Sequence, residues 1–89
     1  MGLKARVNEL KQHHEDRFVE VVDAIKMGAD TAWDITSHMK WSRPWDRING
    51  WMRRAALGEA LAHIRVLEAR GVVRAIEGDV VRWEVVKAG

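Results

Sequence analysis

Apolar residues recur at three- and four-residue steps along the first quarter of the chain. The series runs from Leu3 to Ile25, and this spacing places its members on one face of a helix. Large apolar residues are denser from Phe18 onward than before it. The pattern predicts a helix over residues 3–27, ended by Gly28 as a C-cap. Its second half should pack on a core, and its first half should extend beyond that core.

The middle of the chain predicts one ordinary helix and one short helix. Thr31 is a suitable N-cap, and Asp34 completes a loose capping box with it, so a helix should run from there to about Trp41. Pro44 disfavours helical backbone at the residue before it and suits the first turn of a new helix. A short helix is therefore predicted at Pro44, before an Asn-Gly pair breaks the chain.

The last part of the chain predicts a long helix followed by a β-hairpin. Helical spacing covers residues 51–70, and Gly71 should end it. Apolar and charged residues then alternate through Val81, Trp83 and Val85, and a Gly-Asp pair supplies the turn. The predicted fold is mostly α with a small β-hairpin: a winged helix-turn-helix made of a long N-terminal helix, a helix, a short helix, a long helix and a hairpin wing.

The outer face of the long helix bears on whether this fold reads DNA. Successive helical residues turn by about 100°, and the large apolar residues Leu57, Leu61, Ile64 and Leu67 predict the side that faces the core. The opposite face offers a carboxylate but no donor for base edges or phosphates. We interpret it as a docking surface, although alanine is also common simply because it favours helix. The candidate docking residues are Leu3, Val7 and Leu10 of the helical overhang with Ala55, Glu59, Ala62 and Val66.

The segment WSRPWDRINGW, residues 41–51, concentrates tryptophan and arginine. Aromatic rings beside guanidinium groups suit base stacking or the wall of a substrate cleft. The alternative is that the indoles close a small core beneath an irregular segment. Three tryptophans exceed what such a core requires, so at least one should be partly exposed, with Arg43 or Arg47 beside it. The candidate contacts to a substrate cleft or nucleic acid are Arg43, Trp45, Arg47, Arg53 and Arg54.

Composition narrows the chemistry further. The chain has 89 residues, no cysteine, four histidines and a net charge of +2. The histidines lack the HxH and HExxH spacings of metal sites, and no nucleophile-elbow or P-loop pattern is present. No apolar run approaches the ~20 residues of a membrane helix. We therefore expect a non-catalytic, cytoplasmic chain with no membrane partner, no cofactor and no catalytic or metal-ligating residue of its own.

The run MRRAALGEALAHIRVLEARGVV, residues 52–73, resembles the C-terminal winged-helix domain of metallo-β-lactamase-fold hydrolases of the lactamase-β-2-like group. That pattern has a His-Arg…Arg helix, a Thr-x-x-x-Ile helix start and a long helix of the form A-x-x-E-x-x-A-H-L-x-x-L-x-x-x-G-x-V. The likeness covers about residues 10–86 and departs at His14, where the pattern often has arginine. The matching residues are His13, Arg17, Thr31, Ile35, Pro44, Trp45, Ala56, Glu59, Ala62, His63, Ile64, Leu67, Gly71 and Val73.

The resemblance implies a domain organisation. Residues 13–89 would be the winged-helix domain, and residues 1–12 would be a connector helix from an N-terminal hydrolase domain with an HxHxDH motif. That domain would bind zinc or a similar divalent metal. This chain would be a non-catalytic accessory domain that packs on the catalytic domain, its partner, and helps to shape the substrate cleft. Some members of the group act on RNA and others on small thioesters, which leaves RNA open for the parent protein.

Two alternatives remain open at the level of sequence. The chain would act as a free-standing winged-helix DNA-binding transcriptional regulator if the long helix entered a duplex, but its outer face and the small net charge count against duplex DNA. It would act as an interaction or dimerisation module, as a homodimer, if the apolar overhang met a second copy.

Overall fold

The structure is a computed structural model that describes the backbone of residues 3–86 and the side chains of residues 13–86. Residues 3–86 are mostly helical and finish with one small antiparallel hairpin, as predicted. Among the described residues, no helix is both long and apolar enough to cross a membrane. The elements are helix α1 (Leu3–Lys26), helix α2 (Ala32–His38), a 3₁₀ turn (Trp45–Arg47), helix α3 (Gly50–Ala69), and strands β1 (Val73–Ile76) and β2 (Arg82–Val85).

The two long helices end in the same way. Gly28 follows α1 with φ +106°, and Gly71 follows α3 with φ +77°. Beyond α1, the N–H of Ala29 donates to the carbonyl of Ala24 at 3.0 Å, and an equivalent bond follows α3. This is the Schellman arrangement, in which a left-handed residue lets later N–H groups reach the last helical carbonyls. Both glycine stops predicted from the sequence are confirmed.

A side-chain cap precedes each of α2 and α3. The Thr31 hydroxyl accepts a hydrogen bond from the N–H of Asp34 at 3.2 Å, as the capping-box pattern predicts. Asn49 accepts from the N–H of Met52 at 2.8 Å and so caps α3. Pro44 lies immediately before the 3₁₀ turn rather than within it. The predicted short helix is therefore reduced to a single turn.

One core joins the three helices and the hairpin. Its largest member is Trp83, whose exposed fraction is 3 %. The other members come from α1, α2, α3, strand β1 and the residues that follow α1 and α2. They are Val21, Ala24, Ala29, Ile35, Met39, Ala60, Ile64, Leu67 and Val73.

The buried face of α3 differs from the predicted one. Leu57 and Leu61 are only half-buried, whereas Ala56, Ala60 and His63 are buried alongside Ile64 and Leu67. Because α3 packs against both α1 and α2, its inner face is centred on alanines that let the neighbouring helices approach closely. The sequence pattern assigned Leu57 and Leu61 to the core because leucine is larger and more hydrophobic than alanine.

The hairpin is attached to the start of α2. Strands β1 and β2 pair antiparallel with Ala75 opposite Trp83. On the other edge of β2, the N–H of Trp83 donates to the carbonyl of Asp30 at 2.7 Å, and Thr31 forms an isolated bridge with Arg82. The loop between α1 and α2 thus extends the sheet by one bridge.

Candidate functional site

One face of α3 is exposed and mostly apolar. Trp51, Ala55, Ala62 and Val66 follow one another at steps that keep them on the same side of a helix. The indole of Trp51 is 78 % exposed and Val66 is 39 % exposed, and both alanines are exposed. We call these four residues the α3 stripe. The structure thus leaves three predicted docking residues on a solvent-facing surface, while the side chains of Leu3, Val7 and Leu10 lie outside the described residues.

Two grooves lie along the α3 stripe. The His14 groove, between α1 and α3, has a volume of about 630 Å³, and Ala62 and Val66 form part of its lining. The Trp51 groove, beside the 3₁₀ turn, has a volume of about 340 Å³, and Ala55 and Glu59 form part of its lining. Every predicted docking residue of α3 therefore borders one of the two grooves.

Glu59 stands between the grooves and is tied to α1. Its carboxylate lies 3.5 Å from Nη2 of Arg17 and 3.7 Å from Nε2 of His13, a pair that carries charge on both sides only when the imidazole is protonated. Glu59 is half-buried because these partners cover it. The sequence placed Glu59 on the outer face of the long helix as an isolated charge. In the structure, its carboxylate instead joins α3 to α1.

Arg17 connects three segments of the chain. Its guanidinium donates to the Glu20 carboxylate at 3.1 Å and to the backbone carbonyl of Lys40, in addition to facing Glu59. Its Cζ lies 4.4 Å from the ring centroid of Trp41, a cation–π distance. The arginine that matches the family pattern is therefore a structural link between α1, the loop after α2, and α3.

His14 and His63 meet on the inner side of the His14 groove. Nδ1 of His14 lies 3.0 Å from Nε2 of His63, and Nδ1 of His63 lies 2.7 Å from the carbonyl of Glu59. A carbonyl only accepts, so Nδ1 of His63 carries the hydrogen and its Nε2 accepts from His14. No spacing in the sequence signals this pair, because its members are brought together only by the packing of α1 on α3.

Trp45 and Arg53 stabilise the 3₁₀ turn. The ring of Trp45 packs edge-on against Trp33 with centroids 5.3 Å apart. Arg53 donates to the carbonyl of Trp45 at 2.9 Å, and its Cζ lies 5.1 Å from that indole. Two predicted ligand contacts are therefore engaged inside the fold. The remaining three, Arg43, Arg47 and Arg54, are exposed.

The tryptophans of the segment 41–51 divide into three environments. Trp41 is half-buried against the core, and its indole N–H donates to the carbonyl of Thr36 at 2.8 Å. Trp45 is half-buried in the turn, and Trp51 faces solvent. The prediction that at least one of them is exposed is confirmed at Trp51, whose groove neighbours include Met52 and Ala55.

The donor set of the described residues does not fit a catalytic metal centre. No three histidine, aspartate or glutamate side chains of residues 13–86 lie close enough together to hold a metal ion, and the chain has no cysteine. A protein metal site normally needs at least three such ligands. The candidate site is instead the exposed surface of α3 with its two neighbouring grooves.

A comparison with protein-family models gives a match over most of the chain. Residues 18–86 match the model of the metallo-beta-lactamase-like, C-terminal domain. The chain belongs to that family, the C-terminal accessory domain of metallo-β-lactamase-fold proteins, and the resemblance of its sequence to a C-terminal domain of such proteins is confirmed. Comparisons with curated proteins and with solved structures gave no match.

Proposed function

We propose that this chain is a non-catalytic accessory domain of a metallo-β-lactamase-fold hydrolase, which docks on the N-terminal catalytic domain and helps to shape its substrate cleft. The observation that carries the proposal is the α3 stripe, headed by the exposed indole of Trp51. Family membership as a C-terminal domain supports the choice of partner. We also place the protein in the cytoplasm, in keeping with its lack of cysteine.

The order of elements supports a winged helix-turn-helix. The chain runs through α1, a bridging residue at Thr31, α2, a turn, α3 and the hairpin. In that fold, α3 occupies the position of a DNA-recognition helix and the hairpin is the wing. An α3 surface that combines an indole, two alanines and a valine suits close packing against another protein surface better than contact with phosphates.

Burial of the α3 stripe would supply the affinity for docking. A tryptophan side chain has up to ~250 Å² of surface to bury, and removal of apolar area from water contributes about 25 cal/mol per Å². Alanines beside it let a partner approach closely. Glu59, already paired with Arg17, brings no unpaired charge into the interface. Leu3, Val7 and Leu10 would extend the same interface along α1.

Three exposed arginines are sequence neighbours of residues that line the Trp51 groove. Ser42 lines this groove, and Arg43 follows it directly in the chain. We propose that Arg43, Arg47 and Arg54 attract anionic substrates toward the cleft, while Trp45 and Arg53 hold the turn that presents them. The zinc or similar divalent ion would be bound by the catalytic domain.

The docking proposal is tested with two substitutions in the α3 stripe and one matched control. Val66→Arg and Ala55→Arg place a charge in the α3 stripe, whereas Val80→Arg places the same charge in the hairpin loop, where the valine is 55 % exposed. Titration of each variant with the separately expressed catalytic domain should show at least about tenfold weaker binding for the stripe variants. Val80→Arg should bind normally. Equal binding by all three variants would contradict the proposed docking face. Self-association of the wild-type chain through the α3 stripe would contradict the proposed partner, because a second copy would then occupy that face.

Duplex DNA provides the competing test. Fluorescence anisotropy with a labelled duplex at low salt should show only weak binding, because the α3 stripe lacks donors for base edges. Submicromolar affinity that falls steeply with added salt would identify phosphate contacts. That result would favour the DNA-binding alternative over docking.

A further inference from the structure

The His14 groove has the size and lining of a small-molecule site. Its volume of about 630 Å³ falls within the ~300–1,000 Å³ of ligand pockets, which are mostly apolar with a few convergent polar groups. Phe18, Ala62 and Val66 supply the apolar walls. His14 and Arg70 supply polar groups along the same lining.

The two imidazoles in this groove have a defined hydrogen pattern. Their ring centroids are 5.2 Å apart, close to the largest separation that a 3.0 Å N···N contact allows, so the rings meet end to end. This geometry fits an N–H···N hydrogen bond rather than two lone pairs converging on a metal ion. Since His63 donates to the Glu59 carbonyl, His14 donates from Nδ1, and Nε2 of neutral His14 is an acceptor.

The hydrogen-bond pattern leaves Nε2 of His14 as the position on this pair where a proton can be added. When Nε2 takes up a proton, the N–H at Nδ1 becomes a charged donor to His63, and hydrogen bonds from charged donors are stronger. His63 in turn keeps its bond to the Glu59 carbonyl. Neither of these two hydrogen bonds has to break, so His14 is the member of the pair that can change its protonation state without disturbing the packing of α1 on α3.

The charged residues around the groove favour an anionic ligand group near Arg70. Arg70 stacks over Phe18, with Cζ 4.9 Å from the ring centroid, and lines the groove with Glu15. Behind them, the Glu59 carboxylate is matched by Arg17 and His13. Glu15 is next to His14 in the chain and repels anions, so an anionic group is expected on the Arg70 side of the imidazole.

We propose that the His14 groove binds carboxylates that carry an aromatic or branched apolar body. The body packs on Phe18 and Val66, and the carboxylate meets Arg70 and the protonated Nε2 of His14. Carboxylate and imidazolium form an ion pair, and apart from the protonation of Nε2 no covalent bond changes. The inference goes beyond docking, because it concerns a ligand that this chain binds by itself.

Three probes of similar shape and different charge test the proposal. Benzoate, benzyl alcohol and benzylamine are titrated into the ¹⁵N-labelled chain at about pH 6, where imidazoles are readily protonated. Benzoate should shift amides near residues 14–18 and 62–70 to saturation, benzyl alcohol should bind more weakly and benzylamine should not bind. Equal responses to the three probes, or no saturable response to benzoate, would overturn the proposal.

Variants assign the roles within the groove. H14Q and R70Q should each weaken benzoate binding by about tenfold, a typical loss for one charged contact. R65Q, which changes an exposed arginine of α3 outside the groove lining, is the matched control and should bind normally. E15Q should bind benzoate more tightly, because it removes the repelling charge. Unchanged affinity in both H14Q and R70Q would refute the site.

Proton uptake separates this site from a simple apolar groove. Calorimetry of benzoate binding in two buffers of different ionisation enthalpy should report net proton uptake on binding, and affinity should rise as pH falls. H14Q should abolish the uptake; uptake that persists in H14Q would contradict the assignment to His14. A55R, which alters the Trp51 groove, should leave benzoate binding intact, so failure of docking and failure of this site remain distinguishable.

Discussion

Trp83 and Trp51 show that the same side chain has opposite roles in this small domain. Trp83 lies on the inner face of the hairpin and is 3 % exposed, whereas Trp51 is 78 % exposed at the start of α3. The alternation of the hairpin segment predicted Trp83 on one strand face with Val81 and Val85, and the structure buries Trp83 while Val81 lies outside β2 and is exposed. The exposure of Trp51 did not follow from the sequence, because helical spacing alone does not say which side of the first turn a neighbouring loop covers.

Alanine substitutions should separate the two roles sharply. Trp83→Ala removes the largest core side chain and should lower the free energy of unfolding by about 3–5 kcal/mol. Trp51→Ala should change it by no more than about 0.5 kcal/mol, as for other exposed positions. Urea unfolding followed by circular dichroism measures both. A large loss of stability in Trp51→Ala would show that the indole packs inside the isolated domain.

At the level of elements, most ends of the helices were predictable, whereas α2 ends at His38 and not near Trp41 as predicted. Glycine after an apolar series, Thr31 before Asp34, and an Asn-Gly pair are local signals that act through the nearby backbone. The rotation of α3 was less predictable. Its inner face uses Ala56 and Ala60, and small core residues are indistinguishable in sequence from the small residues of an exposed helix.

The same substitution at two glycines should have opposite effects on stability. Gly71 has φ +77°, a conformation that disfavours an L side chain, so Gly71→Ala should destabilise the fold by about 1–2 kcal/mol. Gly58 lies within α3, and an added Cβ there meets nothing within 4 Å. Gly58→Ala should stabilise the fold by about 0.5–1 kcal/mol. Thermal unfolding of the two variants side by side tests this, and a loss of stability at Gly58 would contradict the open space seen there.

At the level of the whole molecule, the contacts between α1 and α3 could not be foreseen from the sequence. The patterns predicted both helices, but His14 meets His63, and Arg17 meets Glu59, only because of the way in which the helices pack. The candidate site was therefore predicted in part. Spacing on α3 placed Ala55, Ala62 and Val66 on one face, whereas the grooves beside them depend on residues of α1 and of the loop after α2.

Arg17 should be far more important to stability than an exposed arginine. Its side chain is 11 % exposed and joins α1 to Lys40 and Glu59. Arg17→Met keeps much of the apolar stem but leaves those acceptors without their partner, so it should cost about 1.5–3 kcal/mol. Arg54→Met, at an exposed position of α3, should stay within about 0.5 kcal/mol. Chemical denaturation of the pair provides the comparison, and equal midpoints would show that the Arg17 contacts contribute nothing net.

The attachment of the hairpin to the start of α2 also affects behaviour at high protein concentration. An unpaired strand edge can recruit a strand from another molecule and begin aggregation. In this chain, the outer edge of β2 is occupied at Trp83 and Arg82 by the loop residues Asp30 and Thr31. The outer edge of β1 is only four residues long and carries Arg74. The sheet is therefore a poor template for intermolecular β-pairing, despite the exposed valines of the loop that joins its strands.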